Sequence, residues 1–226
     1  MKFKLPFCAF VILLVGHSLL ADTNNTTVTL PELRQRVEAA TLPTQSYFAT
    51  VHQTIWQMSP TAALGAPALS TQTNKLEEAD YEVHCAPTGE LHAKKGLLLT
   101  RKPSSLNTQS TALPSAHNAR LLITINPINS LRHIATLNSL IISDDIYQNI
   151  PCYKLSALDD HFGFVIWVTK ADSYVCRQII LQDSNPLFDA QFEYKRWGGR
   201  FVPLRTMITK PSNGARVIQD FSGHTF

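Results

Sequence analysis

The chain has 226 residues, a formal charge of +3 and a charged fraction of 16%. That length supports one domain with a real core, and the near-neutral balance gives no argument from net charge for a nucleic acid or an acidic membrane surface. No self-similarity at a fixed period of roughly 20–50 residues is present, which argues against a solenoid.

Met1-Lys-Phe-Lys4 is basic, Leu5 to Leu14 is mostly apolar, and Gly16-His-Ser-Leu-Leu-Ala21 ends on a small residue. The apolar run is shorter than the about 20 residues that a bilayer requires. Residues 1–21 are therefore expected to be a cleaved secretory signal, leaving one exported domain over 22–226. Loss of Lys2 and Lys4 takes the formal charge from +3 to +1. Asn24-Asn-Thr26 and Asn25-Thr-Thr27 fit the glycosylation acceptor pattern, which matters only in a eukaryotic secretory pathway.

Thr29-Leu-Pro-Glu32 has the spacing of a capping box with proline in the first turn. Leu30, Leu33, Val37 and Ala40 follow on one face and predict a helix to about Thr41. Ser46 to Gln57, rich in β-branched and aromatic residues, predicts a strand. Tyr81–Cys85 and Leu91–Thr100 predict a hairpin about Ala86-Pro-Thr-Gly89, with Cys85 opposite Glu90 and Val83 opposite His92. Pro60 to Lys75 and Arg101 to Ala119, rich in Ser, Thr, Asn, Ala and Pro, predict long loops. Arg120 to Ile125 predicts a short strand leading into a second helix. There Asn126 caps and Pro127 opens the first turn, while Ile128, Leu131, Ile134 and Leu137 form an apolar stripe running to about Leu140.

Ile141–Ser143 and Ile150–Leu155 predict strands that enter a longer series. Phe162–Thr169, Tyr174–Gln182, Ala190–Lys195, Arg200–Thr209 and Ala215–Phe221 are apolar or alternating runs. Lys170-Ala-Asp-Ser, Asp183-Ser-Asn-Pro, Trp197-Gly-Gly and Pro211-Ser-Asn-Gly supply turn chemistry between them. Joints this short make successive strands antiparallel neighbours, so the series predicts a β-meander. Pro203 inside a strand predicts an edge or a bulge.

Motifs of covalent chemistry are weak. Cys85, Glu90 and His92 could converge across the first hairpin, but a plain surface hairpin accounts for them better than a metal site. Asp159-Asp160-His161 lies in a turn with no nucleophile beside it and reads as a solvated loop. No Gly-x-Ser-x-Gly elbow, phosphate-cradling loop or His-Glu-x-x-His occurs. Neither a metal nor a cofactor is expected, nor catalysis.

Cys8 leaves with the signal, so Cys85, Cys152 and Cys176 remain, an odd number for an oxidising compartment. Cys152 and Cys176 fall on strands separated by the 162–169 strand, about 10 Å apart. A disulfide needs Cα atoms within about 7 Å, so free buried thiols are expected there. A Cys85–Cys152 bridge stays open.

The order of elements carries a resemblance. An amphipathic helix and the strand Ala49-Thr-Val51-His-Gln53 come first, then a second helix leading into Asn149-Ile-Pro-Cys-Tyr-Lys-Leu155. The Val165-Ile-Trp-Val168 strand precedes one bearing Arg177, and the hairpin Tyr194-Lys-Arg-Trp-Gly-Gly-Arg-Phe-Val-Pro203 follows. This order resembles the periplasmic LolA-like lipoprotein-sorting superfamily, whose strand-turn-strand "Tyr…Gly-x-(aromatic)-x-Pro" is met by Tyr194, Gly199, Phe201 and Pro203. It covers Leu30–Gln53 and Asn126–Phe221, while the stretch from Ser59 to Ala119 matches nothing in it.

The resemblance implies an α+β fold: a curved antiparallel sheet forming an incomplete barrel, with helices packed on the concave face and an apolar cavity between. It implies a monomeric periplasmic carrier that binds the acyl chains of a lipid or lipoprotein and shuttles them toward the outer membrane, between donor and acceptor proteins. On one strand register Phe164, Ile166, Val168, Ile179, Leu181, Phe192, Tyr194, Val202, Leu204 and Ile208 face inward, beneath Leu131 and Ile134 of the second helix. Leu204 and Phe192 are the expected cavity walls. Each of these residues taken singly is better explained by a filled core; only their number, beneath movable helices, supports a cavity. Two alternatives stand beside the carrier: an envelope sensor of the same fold, and a small secreted hydrolase using His161 or His92.

Overall fold

Among the described residues, apolar alternation lays down eleven strands, and two short helices cover part of one face. The structure, a computed structural model, describes residues 28–57, 74–93, 97–101 (backbone), 126–137, 139–158, 161–212 and 214–226. The expected signal, the strand at 120–125 and the Asp159-Asp160 pair lie outside the described residues. So do the two Ser/Thr/Pro-rich loops, apart from Asn74, Lys75 and Arg101, which belong to strands.

The strands are β1 Tyr47–Gln57, β2 Asn74–Cys85, β3 Leu91–Ala93, β4 Leu97–Arg101, β5 Ser139–Tyr147, β6 Ile150–Leu158, β7 Phe162–Thr169, β8 Val175–Gln182, β9 Asn185–Trp197, β10 Arg200–Lys210 and β11 Ala215–Thr225. They form one sheet in the order β3-β2-β1-β11-β10-β9-β8-β7-β6-β5, with β4 pairing β2 as well. From β5 to β11 spatial order is chain order, the predicted meander. The sheet is curved and antiparallel but not closed. Its long-range join is β1 against β11, for example Val51 opposite Phe221.

Helix α1, Leu30–Thr41, starts where expected: the Thr29 side chain accepts from the Glu32 amide at 3.4 Å. The Glu32 carboxylate turns instead to Arg36, 2.6 Å away. Helix α2, Pro127–Ile134, is capped by Asn126, whose Oδ1 accepts from the Ile128 amide at 2.9 Å. It ends two turns earlier than the stripe to Leu140 suggests. Thr136 and Leu137 donate to the carbonyls of His133 and Ile134 in a tight final turn, and Leu140 is taken by the β5 ladder opposite Ala157.

One core joins both helices to the sheet. Leu33 and Val37 of α1 and Ile128, Leu131 and Ile134 of α2 pack with Leu155, Ile166, Val168, Ala190, Phe192 and Ile208. Cross-strand partners fix the face, since Leu155, Ile166, Gln178, Ala190, Ile208 and Val217 oppose one another in a row from β6 to β11. Full burial of Leu131 and Ile134 contributes about 1.5–3 kcal/mol each. A second cluster on β1, β2, β10 and β11 contains Tyr47, Val51, Tyr81, Cys85, Val202 and Phe221.

Two expectations are corrected here. Ile179 lies opposite Val165 and packs with Trp167, Cys152 and Cys176 on the other face. Leu181, opposite Gly163 and two residues on, shares that outer face. On β8 it is Gln178 and Ile180 that point toward the helices. Pro203 sits in a central strand at a register shift before Arg205, so the bulge half of that expectation holds. The extra residue is Leu204, which is 40% exposed and forms no cavity wall.

The β2–β3 hairpin is shifted by one residue from its expected register. Cys85 opposes Leu91 and His84 opposes His92, because Ala86 and Glu90 close the turn themselves. The rings of His84 and His92 stack at 6.2 Å, while Cys85 points to the buried side. Cys85, Glu90 and His92 are thus not brought together.

Candidate functional site

An apolar pocket of about 70 Å³ opens between the helix ends and the sheet. Its roof is Leu42 and Pro43 beyond α1 and Asn126, Pro127 and Ile128 at the start of α2. Its walls include Tyr47, Cys85, Phe192, Tyr194, Phe201, Ile208 and Phe221. β1 and β11 bring Tyr47 and Phe221, while β9 and β10 bring Phe192, Tyr194 and Ile208 from adjacent strands.

A few polar ties hold the roof. The Asn126 amide donates to the Gly89 carbonyl at 2.6 Å. Gly89 has φ +83°, a conformation that favours glycine, and a Cβ there would press on the Leu42 side chain at 2.6 Å where the hairpin passes beneath the end of α1. Gln178, fully buried on β8, donates to the Ser130 hydroxyl of α2 at 2.8 Å. Arg132 of α2 reaches Glu38 of α1 at 3.2 Å.

Apart from Glu193, the chemistry of the walls is that of a neutral binding surface. Burial, and next the neighbouring Cys85, pushes the Tyr47 phenol above its ordinary value. Burial does the same to Tyr194 and to the Cys85 thiol. A thiol raised in this way is a poor nucleophile. Glu193 also lines the pocket, opposite Arg205 in the ladder. Hydrocarbon can be desolvated here, and the hydroxyls of Tyr47, Tyr194 and Thr206 can orient a polar end.

Among the expected site residues, Phe192, Tyr194 and Ile208 line this pocket. Leu131, Ile134, Phe164, Ile166 and Val168 belong to the same core but lie in its filled part toward β6 to β8. Val202 is buried in the second cluster beside Tyr47 and Phe221. Ile179, Leu181 and Leu204 stand apart, as described. Leu42, Tyr47, Cys85, Ile128, Phe201 and Phe221 were not expected to line a pocket. Ile128 was legible in the helical stripe, whereas Tyr47 and Phe221 depend on the β1–β11 pairing. Of the hydrolase candidates, His161 meets Asp183 at 3.2 Å with both side chains largely exposed, and His92 is exposed beside Glu90. Among the described residues no three His, Cys, Asp or Glu side chains are grouped to hold a metal ion.

A dry cavity of ~150 Å³ admits one benzene ring, so this pocket, at about 70 Å³, does not admit a long acyl chain as it stands.

No protein-family model and no curated protein matches the chain. Solved structures are similar. A DUF1329 family protein from Desulfovibrio piger, 10% identical, aligns over 87% of this chain and 91% of its own with a TM-score of 0.50. A LolA superfamily protein from Nitrosomonas europaea is 11% identical over 88% and 94% of the two chains, with a TM-score of 0.45. A domain assigned to outer membrane lipoprotein sorting, from Vibrio parahaemolyticus, is 12% identical over 86% and 91%, with a TM-score of 0.49. The resemblance to LolA-like proteins read from the order of elements is met again among these structures. At such identities the likeness is one of fold.

Proposed function

We propose that the protein is a secreted periplasmic carrier that binds the acyl chain of a lipid or lipoprotein without covalent chemistry. The observation that carries this reading is an apolar pocket roofed by two short helices that a handful of hydrogen bonds attach to an open sheet. In this reading residues 22–226 form one monomeric domain, the helices lie on the concave side, and α2 swings outward as the chain enters. Burying hydrocarbon gains about 0.8 kcal/mol per methylene, so a chain of ~14 carbons offers on the order of 10 kcal/mol before ordering costs. Displacing Ile128, Leu131 and Ile134 from their present contacts opposes that gain. The opposition leaves the net affinity reversible, as handing cargo from a donor to an acceptor protein requires.

Titration of the purified exported protein with a fluorescent fatty acid tests the reading, alongside mass spectrometry of its organic extract. Saturable binding, competed by unlabelled fatty acid, is expected. Absence of binding by both assays would leave a filled-core protein.

A further inference from the structure

The tip of the β9–β10 hairpin concentrates a chemistry that the whole-chain composition conceals. Lys195-Arg-Trp-Gly-Gly-Arg-Phe201 holds three cations, two aromatic rings and no acid in a chain whose entire formal charge is +3. Gly198 and Gly199, at φ +56° and +77°, close a two-residue turn, so Trp197 and Arg200 stand opposite each other at its base. Trp197 stacks on Phe226 with centroids 4.3 Å apart, and Phe226 is 63% exposed. Arg196 lies over the Phe201 ring at 5.5 Å. Among the described residues none of Lys195, Arg196 and Arg200 is in an ion pair. The next acid along the strand, Glu193, faces Arg205 instead.

This tip adjoins the pocket. Phe201 and Tyr47 line it, and the Tyr47 ring packs edge-on against Trp197 at 5.6 Å. Exposed aromatic surface and unpaired cations therefore flank one end of the binding cavity.

We propose that the β9–β10 tip, together with Phe226, docks on an anionic phospholipid surface and sets the pocket against it. Indole and phenyl rings suit the headgroup level of a bilayer, and guanidinium groups match phosphate oxygens in a bidentate fork. Basic side chains are drawn to anionic headgroups within a Debye length. A projecting two-residue turn offers far less than the ~800 Å² per partner of a stable protein interface, which favours a membrane over a second copy of the chain. The inference does not depend on acyl binding: a failed fatty-acid titration would leave the vesicle experiment below unaffected.

The test is co-sedimentation of the exported protein with vesicles of phosphatidylcholine alone and of phosphatidylcholine mixed with phosphatidylglycerol. Binding is expected to the anionic vesicles only, weakening as salt is added, with a blue shift of tryptophan emission that Trp197→Phe removes. Arg196→Gln and Arg200→Gln should each lower the partition coefficient about fivefold. Phe226→Ser, at an exposed position, should weaken binding without changing the circular dichroism spectrum. The proposal is overturned by no binding to anionic vesicles at low salt, by equal binding to neutral ones, or by unchanged partitioning of the arginine variants. A dimer in sedimentation equilibrium that Phe226→Ser dissolves would also overturn it, by making the tip a self-interface.

Discussion

The sulfurs of Cys152 and Cys176 lie 3.8 Å apart, although β7 runs between the strands that carry them. The β7–β8 register slips between Trp167 and Val168, which face Arg177 and Val175, and leaves Cys176 as the extra residue. Both side chains then lean over the intervening strand, where the Cys176 thiol donates to the Trp167 carbonyl at 3.5 Å. The strand order behind the expected 10 Å separation is right; the bulge is what draws the sulfurs together.

Both remain thiols, as does Cys85. Burial, and then the neighbouring Cys152, pushes the Cys176 thiol up to about 12. Folded protein at pH 8 should therefore react slowly with a thiol reagent, and denatured protein should release Cys85, Cys152 and Cys176 together. Cys152→Ser should bring Cys176 part of the way down, since burial stays; measuring alkylation rate against pH checks this. A mapped Cys152–Cys176 disulfide would show that the strands close further than the structure has them.

Ser130→Ala leaves the buried Gln178 amide without its acceptor on α2. An unmet buried donor costs about 1–3 kcal/mol, so Tm should fall by several degrees, about 2–4 °C per kcal/mol in a domain of this size. Adding Gln178→Leu should recover most of the loss. If α2 is the moving roof, acyl affinity of Ser130→Ala should rise, because less must be broken on opening. Unchanged or weaker binding would argue against motion of α2.

Phe192 and Leu204 separate pocket from surface. Phe192→Glu places a charge among Tyr194, Ile208 and Phe221 and should abolish fatty-acid binding. Leu204→Glu, on an exposed bulge, should stay within about ±0.5 kcal/mol of wild-type stability and keep its binding. Denaturant melts and fluorescence titration on both variants check the pair.

His224 should make stability depend on pH below neutrality. Its Nε2 donates to the Pro203 carbonyl at 3.2 Å, while Nδ1 is buried with no partner. Burial first, and then nearby Lys195, lowers its pKa. A histidine depressed in the fold contributes stability that is present above the unfolded value of about 6.5. That contribution is lost as pH falls toward the folded value, because the unfolded chain takes up the proton first. Urea midpoints should be flatter between pH 7 and 5 for His224→Gln than for wild type; parallel curves would show that His224 plays no such part.

The sequence by itself determined what neighbouring residues determine. Alternation and turn chemistry set β5 to β11 as a meander, because hairpin pairing needs only adjacent segments and a short turn. Thr29 and Asn126 announced the helix starts, since caps are local hydrogen bonds. Only the tertiary structure decided what crosses the chain. The β1–β11 join brings Tyr47 and Phe221 to one pocket over a separation that no local pattern encodes. One-residue register shifts decided faces, turning Ile179 outward, exposing Leu204 and placing His84 rather than Val83 opposite His92. Side chains alternate with a period of two, so a single bulge moves a residue from core to surface. Whether an apolar face is filled or open is likewise a matter of how the helices seat on it, and that is settled by packing across the fold.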